Sequence, residues 1–152
     1  MDIAFVAGFG PIGTPGAESH DFWAGALGIA FHENAPRYFH SEELPGVKAF
    51  AIWPIDQAAE ATFGTPEWPA DRPVPQAWIE FDVASADAVA PAVAELRAKG
   101  LEVLVDAHLE PWGQTTSRLQ SPEGLLVGVS YTPWMHPEQG EPEGSPPEGT
   151  SR

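Results

Sequence analysis

The sequence predicts an α+β fold in which two β-α-β-β-β modules pair and curl one mixed sheet around a cleft. Three observations predict it. A pattern recurs at an offset of 72 residues: Phe9 and Phe81 each stand 19 residues before a glycine, Gly28 and Gly100, with a helix-like run between. Seventeen prolines and fifteen glycines punctuate the chain, which favours many short strands over long helices. Finally, 152 residues with 43% hydrophobic content suffice for the core of one domain.

In the first module, residues 1–63, Phe5, Ala7 and Phe9 alternate with Ala4, Val6 and Gly8, so residues 3–9 read as a strand. Thr14 is a capping residue and Pro15 suits a first helical position, so a helix starts there. Trp23 and Leu27 share its face, and Gly28 stops it. Extended runs follow at 29–32, 37–40 and 47–53, the last two divided by turn-rich residues 41–46. A proline-rich connector, 64–75, carries Pro66, Pro69, Pro73 and Pro75.

The second module, residues 76–136, repeats the order: a strand at 76–83, a helix at 87–99, and strands at 101–106, 114–120 and 125–131. Val89, Val93 and Leu96 form the helix's apolar stripe. Pro91 removes a ladder hydrogen bond, which predicts a late start or a bend. Ser121-Pro122-Glu123-Gly124 makes a tight reversal. Residues 137–152 are charged and turn-rich with almost no apolar side chains, which predicts a disordered acidic tail.

Composition narrows function. Without cysteine there are no disulfides, thiol nucleophiles, thiolate zinc sites or iron–sulfur clusters. A formal charge of −15 repels nucleic-acid phosphates and attracts cations. There is no membrane-length apolar run, and Met1-Asp2-Ile3 lacks the basic region of a signal peptide. The expectation is a cytoplasmic protein that binds neither nucleic acid nor membrane.

Gly8-Phe9-Gly10-Pro11-Ile12-Gly13 has the spacing of a dinucleotide-binding loop, with Glu33 about twenty residues on. The helix chemistry is wrong for it. Gly13, Pro15 and Gly16 would fall in the first turns of the helix that must meet the pyrophosphate, and the repeat carries Phe81-Asp82-Val83-Ala84-Ser85 there.

Alternation in 76–83 places Ala77, Ile79, Phe81 and Val83 on the face a helix covers, and Gln76, Trp78, Glu80 and Asp82 on the other. That second face reads as an open cleft wall. Trp53 and Trp112 are expected to join Trp78 there, supplying flat apolar area with an indole donor at the edge. Glu80, Asp82 and Glu110 bring negative charge suited to a planar or cationic guest. The five histidines are dispersed and read as structural or solvated, His136 in the tail; His40, beside Tyr38-Phe39, is the one expected to touch a ligand.

Asp21-Phe22-Trp23-Ala24-Gly25-Ala26-Leu27-Gly28, Pro111-Trp112-Gly113-Gln114 and Ser121-Pro122-Glu123-Gly124 resemble segments of the vicinal oxygen chelate superfamily, the glyoxalase, bleomycin-resistance and extradiol dioxygenase group. The resemblance covers residues 3–131. Enzymes of this group hold a divalent metal on the first, fourth, fifth and eighth strands. The resemblance places Val6, one of Phe50, Ala51 or Ile52, Trp78 and Gly128 at those positions, and none of them carries a metal-binding side chain. Gln76 and Glu80 stand one pleat to either side of Trp78.

The resemblance therefore implies no metal and no cofactor. It implies a homodimer that captures a small aromatic or cationic natural product, of bleomycin, mitomycin or enediyne type, as an antibiotic-resistance device. The expected ligand-binding residues are Phe39, His40, Trp53, Gln76, Trp78, Glu80, Trp112, Gln114 and Gly128, with no catalytic residue. The alternatives are a metal-dependent glyoxalase-like lyase or isomerase, an extradiol-type dioxygenase, a metal-free enzyme with Glu80 or Glu110 as base, and a sensor or assembly module.

Overall fold

The computed structural model describes residues 1–136. The tail expected at 137–152 lies outside the described residues. The first half runs β1 (Phe5–Gly13), α1 (Glu18–His20) continued by a π-helical stretch (Asp21–Ala26), β2 (His32–Ala35), β3 (Tyr38–Ser41), β4 (Ala49–Pro54) and α2 (Ile55–Phe63). The second runs β5 (Ala77–Asp82), a 3₁₀ turn (Ala86–Ala88), α3 (Val89–Ala98), β6 (Val103–Leu109), β7 (Thr115–Gln120), β8 (Leu126–Tyr131) and a 3₁₀ turn (Pro133–Met135).

All eight strands form one mixed sheet in the order β2-β3-β4-β1-β5-β8-β7-β6. Each half contributes four neighbours. β1 pairs parallel with β4 and β5 parallel with β8, while β1 and β5 join the halves antiparallel. Gly8 faces Glu80 across that seam, and these residues are 72 apart in sequence. The local twofold relating the halves therefore passes through this pair.

Several boundaries differ from expectation for physical reasons. β1 extends to Gly13 because its glycines permit close backbone approach: a Cβ on Gly10 would collide with the Ala51 carbonyl. The whole Gly8–Gly13 run thus lies inside a strand. β2 lies at 32–35 instead of 29–32, where Pro36 and Arg37 turn the chain into β3; Arg37 adopts φ 63°. α3 starts late, at Val89, so Pro91 falls in the first turn, where a missing N–H breaks no helical bond. α2 is additional to the expected order; Pro54 precedes it, Ala58, Ala59 and Ala61 favour it, and Gly64 ends it at φ 76°.

The sheet's two faces are covered differently. α3 packs Val89, Ala92 and Val93 against Val83, Val129 and Tyr131 on the outer face. On the inner face Tyr38, Trp53, Trp78 and Leu126 cluster with Ala58 of α2. Trp134 and Met135 pack there too, with Ala7, Ala49 and Trp112.

Candidate functional site

The inner face of the four central strands is where the fold brings chemistry together. Register aligns Ala49 with Gly8, Gly8 with Glu80, and Glu80 with Gly128, one position from each of β4, β1, β5 and β8. Only Glu80 in that row carries a side-chain oxygen or nitrogen. Val6 pairs instead with Phe81, and Trp78 stands between Gly10 and Leu126, so on β1 and β5 the row is offset one pleat from the sequence placement, on β4 it falls at Ala49, and on β8 it keeps Gly128. A divalent ion needs three or four converging donors. The row does not fit one, and among the described residues no three His, Asp or Glu side chains gather as a metal site.

Large side chains of β5 occupy the space that glycines leave on the adjacent strands. A Cβ on Gly8 would lie 2.5 Å from the Trp78 ring, and one on Gly128 would lie 2.6 Å from Glu80 Cγ. Trp78 Nε1 donates to the Ala51 carbonyl at 3.2 Å, and the Trp53 ring meets Trp78 edge-on at 5.8 Å. The Arg118 guanidinium lies over Trp53 at 5.3 Å, and its Nη1 donates to Ala61 O of α2 at 2.9 Å. Arg118 Nη2 stands 2.8 Å from Glu110 Oε1, at ion-pair distance though outside hydrogen-bond alignment. His108 Nε2 approaches the same oxygen at 2.9 Å.

A second polar chain runs beside this one. Trp112 Nε1 donates to Gln114 Oε1 at 3.0 Å, while Gln114 Nε2 donates to Glu80 Oε2 at 2.8 Å and to Thr132 Oγ1 at 2.9 Å. Thr132 donates its N–H and hydroxyl to Asp82 at 2.6 and 3.0 Å, and His136 Nε2 lies 2.8 Å from Asp82 Oδ2. Burial holds the Asp82 carboxyl above the usual carboxylate range, with the Glu80 charge adding to the rise and the His136 and Thr132 hydrogen bonds opposing it.

The structure brings Trp53, Trp78, Glu80, Trp112, Gln114 and Gly128 together on this face. It also buries them. Trp78 is 1% exposed, Glu80 3% and Asp82 0%, so the face expected to be an open wall is packed beneath α2 and residues 133–136. His40 lies towards the sheet edge on this side, stacked on Tyr38 and 3.9 Å from Glu42. Gln76 is exposed, and its carbonyl accepts the Ile12 N–H. Phe39 points to the opposite face, its ring 4.2 Å from that of His20, beside a recess of about 310 Å³.

A larger recess, about 620 Å³, opens between Phe5 and Val6 of β1 and the β3–β4 loop, residues 42–48. Phe5 forms part of its wall, Glu42 and Glu43 contribute carboxylates, and the Lys48 ammonium lies 4.8 Å over the Phe5 ring. Behind Phe5 sits His136 at 4.8 Å, so the recess adjoins the packed face.

Sequence reasoning missed Arg118, Thr132 and the packed segment Trp134, Met135 and His136. Arg118 left one signal: it is the lone charge within a strand of threonine, serine, leucine and glutamine. His136, read as a tail residue, is 2% exposed and tied to Asp82.

Neither a protein-family model nor a curated protein matches the sequence. Solved structures do. A glyoxalase/bleomycin resistance protein/dioxygenase superfamily member from Vibrio splendidus 12B01 is similar with a TM-score of 0.52 and 16% identity, over 84% of this chain and 98% of that one. A protein described as NAD-dependent benzaldehyde dehydrogenase from Legionella pneumophila is similar with a TM-score of 0.54 and 12% identity, over 82% and 96%. Proteins with such different descriptions share the fold, so the fold alone does not assign a reaction.

Proposed function

We propose that this chain, which has the glyoxalase/bleomycin-resistance fold of the vicinal oxygen chelate superfamily, is a metal-independent small-molecule-binding protein. On this reading it sequesters an aromatic or cationic natural product and protects its host without chemistry. The observation that carries the reading is the row Ala49, Gly8, Glu80 and Gly128, with one side-chain donor where a divalent ion needs three or four.

Two further features support it. The 620 Å³ recess is within the usual size of small-molecule sites, roughly 300–1,000 Å³. Its aromatic wall at Phe5, with Lys48 over the ring and Glu42 and Glu43 on the rim, suits a flat aromatic guest, and the chain's −15 charge draws in cations. Exposed Phe9, Phe22 and Leu27 on the outer side fit a homodimer, which sedimentation equilibrium checks.

The test is titration with bleomycin-, mitomycin- and enediyne-type compounds while following tryptophan fluorescence. Saturable quenching by one class is expected. Absence of quenching by all three, or stoichiometric zinc, nickel, manganese or iron in protein purified without chelator, overturns the reading; the metal result favours a glyoxalase-like lyase or isomerase or an extradiol-type dioxygenase.

A further inference from the structure

The inner face is closed at one end by the chain's own residues 133–136, and the chemistry of that closure describes a guest. The Trp134 ring is buried among Ala7, Ala49, Trp112 and Met135. The two alanines leave its space, yet its Nε1–H, like that of Trp53 on the same face, has no acceptor among the described residues. A buried donor without a partner is a fault that well-packed cores rarely keep. Two residues on, His136 places Nε2 against the Asp82 carboxylate, with the rings of Phe5 at 4.8 Å and Tyr131 at 4.4 Å around it. A buried carboxylate flanked by aromatic rings is a receptor for a cationic nitrogen.

We propose that residues 133–136 are an internal occupant of a guest site, and that the guest is an arylalkylammonium: a fused aromatic ring joined by a short linker to a cationic nitrogen. The inference rests on the small-molecule-binding reading and specifies its guest. The ring takes the Trp134 position against Trp112, and the ammonium takes the His136 position at Asp82. The segment's own backbone hydrogen bonds are short in range. The His136 N–H bonds Pro133 O at 3.2 Å within the segment, and the Met135 N–H bonds Thr132 O at 3.0 Å at its near end. Thr132 keeps its two bonds to Asp82, which hold the carboxylate in place. Phe5 belongs both to the His136 contact and to the wall of the 620 Å³ recess, so a molecule in that recess stands next to the segment it displaces.

An occupant tethered to its own site competes at high effective concentration, so the free site shows only when the tether is weakened. Tryptamine is the probe. In the full-length chain, the double substitution Trp134→Ala with His136→Ala is expected to tighten tryptamine binding at least tenfold by calorimetry. In the unaltered chain, saturating tryptamine is expected to speed hydrogen exchange of the Met135 and His136 amides while β8 stays protected. If the double variant fails to fold, the exchange measurement decides alone. Tryptamine binding that leaves those two amides unchanged overturns the inference, and so does a lack of binding to the unaltered chain up to about 10 mM with a folded variant no tighter. Opening by tryptamine with no natural product bound removes the sequestration reading alone. Natural-product quenching with residues 133–136 still protected removes only the displacement.

Discussion

The two halves of the sheet share a strand order and differ in almost everything that lies on it. On the outer face α3 is a ten-residue helix that buries Val89, Ala92 and Val93, while its counterpart α1 has three residues, continues as a six-residue π-helical stretch and buries none. Phe22 and Leu27 there remain 53% and 55% exposed. On the inner face the asymmetry reverses in sense. The first half presents Gly8, Gly10, Ala49 and Ala51 beside Tyr38 and Trp53, and the second half sends the Trp78 ring over Gly8 and buries its own Glu80, Asp82, Gln114 and Arg118. At Gly8 and Trp78 two copies of one backbone have become complementary: one supplies room, the other fills it.

The largest expected effect comes from breaking what the second half places inside. Arg118→Ala leaves Glu110 buried without its cation and is expected to cost about 3–5 kcal/mol, read by urea denaturation. Arg118→Met combined with Glu110→Leu should recover much of that loss, because it removes both charges and keeps volume. A double variant as unstable as Arg118→Ala would show that packing over Trp53, not the charge pair, is what matters.

Next comes the room supplied by the first half. Gly8→Ala puts a methyl against the Trp78 ring and is expected to cost about 1–3 kcal/mol. Trp78→Leu in the same chain should make Gly8→Ala much less costly, and a double-mutant cycle measures that coupling. Additive losses would mean that the two halves are not complementary at this point.

The inner face also has a pH signature. Burial raises the Asp82 pKa in the folded chain above its ordinary value near 3.8. Between that value and the raised one, the folded state binds more protons than the unfolded state, so this group's contribution falls as pH rises. Asp82→Asn should remove that downward slope, measured as the difference between wild-type and variant stability across acidic pH. The first half carries the opposite sign on its surface, where the Arg37 guanidinium holds the Asp56 carboxyl below its ordinary range and stability is lost as pH falls. That pair is exposed, so Asp56→Asn should cost no more than about 1 kcal/mol and the effect should shrink in 1 M salt.

Much of the fold was legible because its signals are local. Alternation marked 76–83 as a strand, Gly28 and Gly100 marked helix ends, and Pro91 announced the late start of α3. The candidate site was legible in membership more than in state. Trp53, Trp78, Glu80, Trp112 and Gln114 do converge, but polarity at Glu80 and Asp82 read as solvent exposure when it marks a buried hydrogen-bonded layer. Polar side chains in a strand carry no sign of whether a partner 34 or 50 residues away will bond them.

The chain's own letters determined the eight strands, the duplication, the acidity and the lack of thiol chemistry, since periodicity, turn residues and composition act over a few neighbouring positions. The tertiary structure alone decided that Gly8, Ala49, Glu80 and Gly128 form the central row and that α2 and residues 133–136 close the face above it. Register depends on how whole strands match, and filling depends on volumes brought together from opposite ends of the chain. A one-pleat shift on two strands exchanges Val6 and Trp78 for Gly8 and Glu80 and leaves the sequence pattern unchanged.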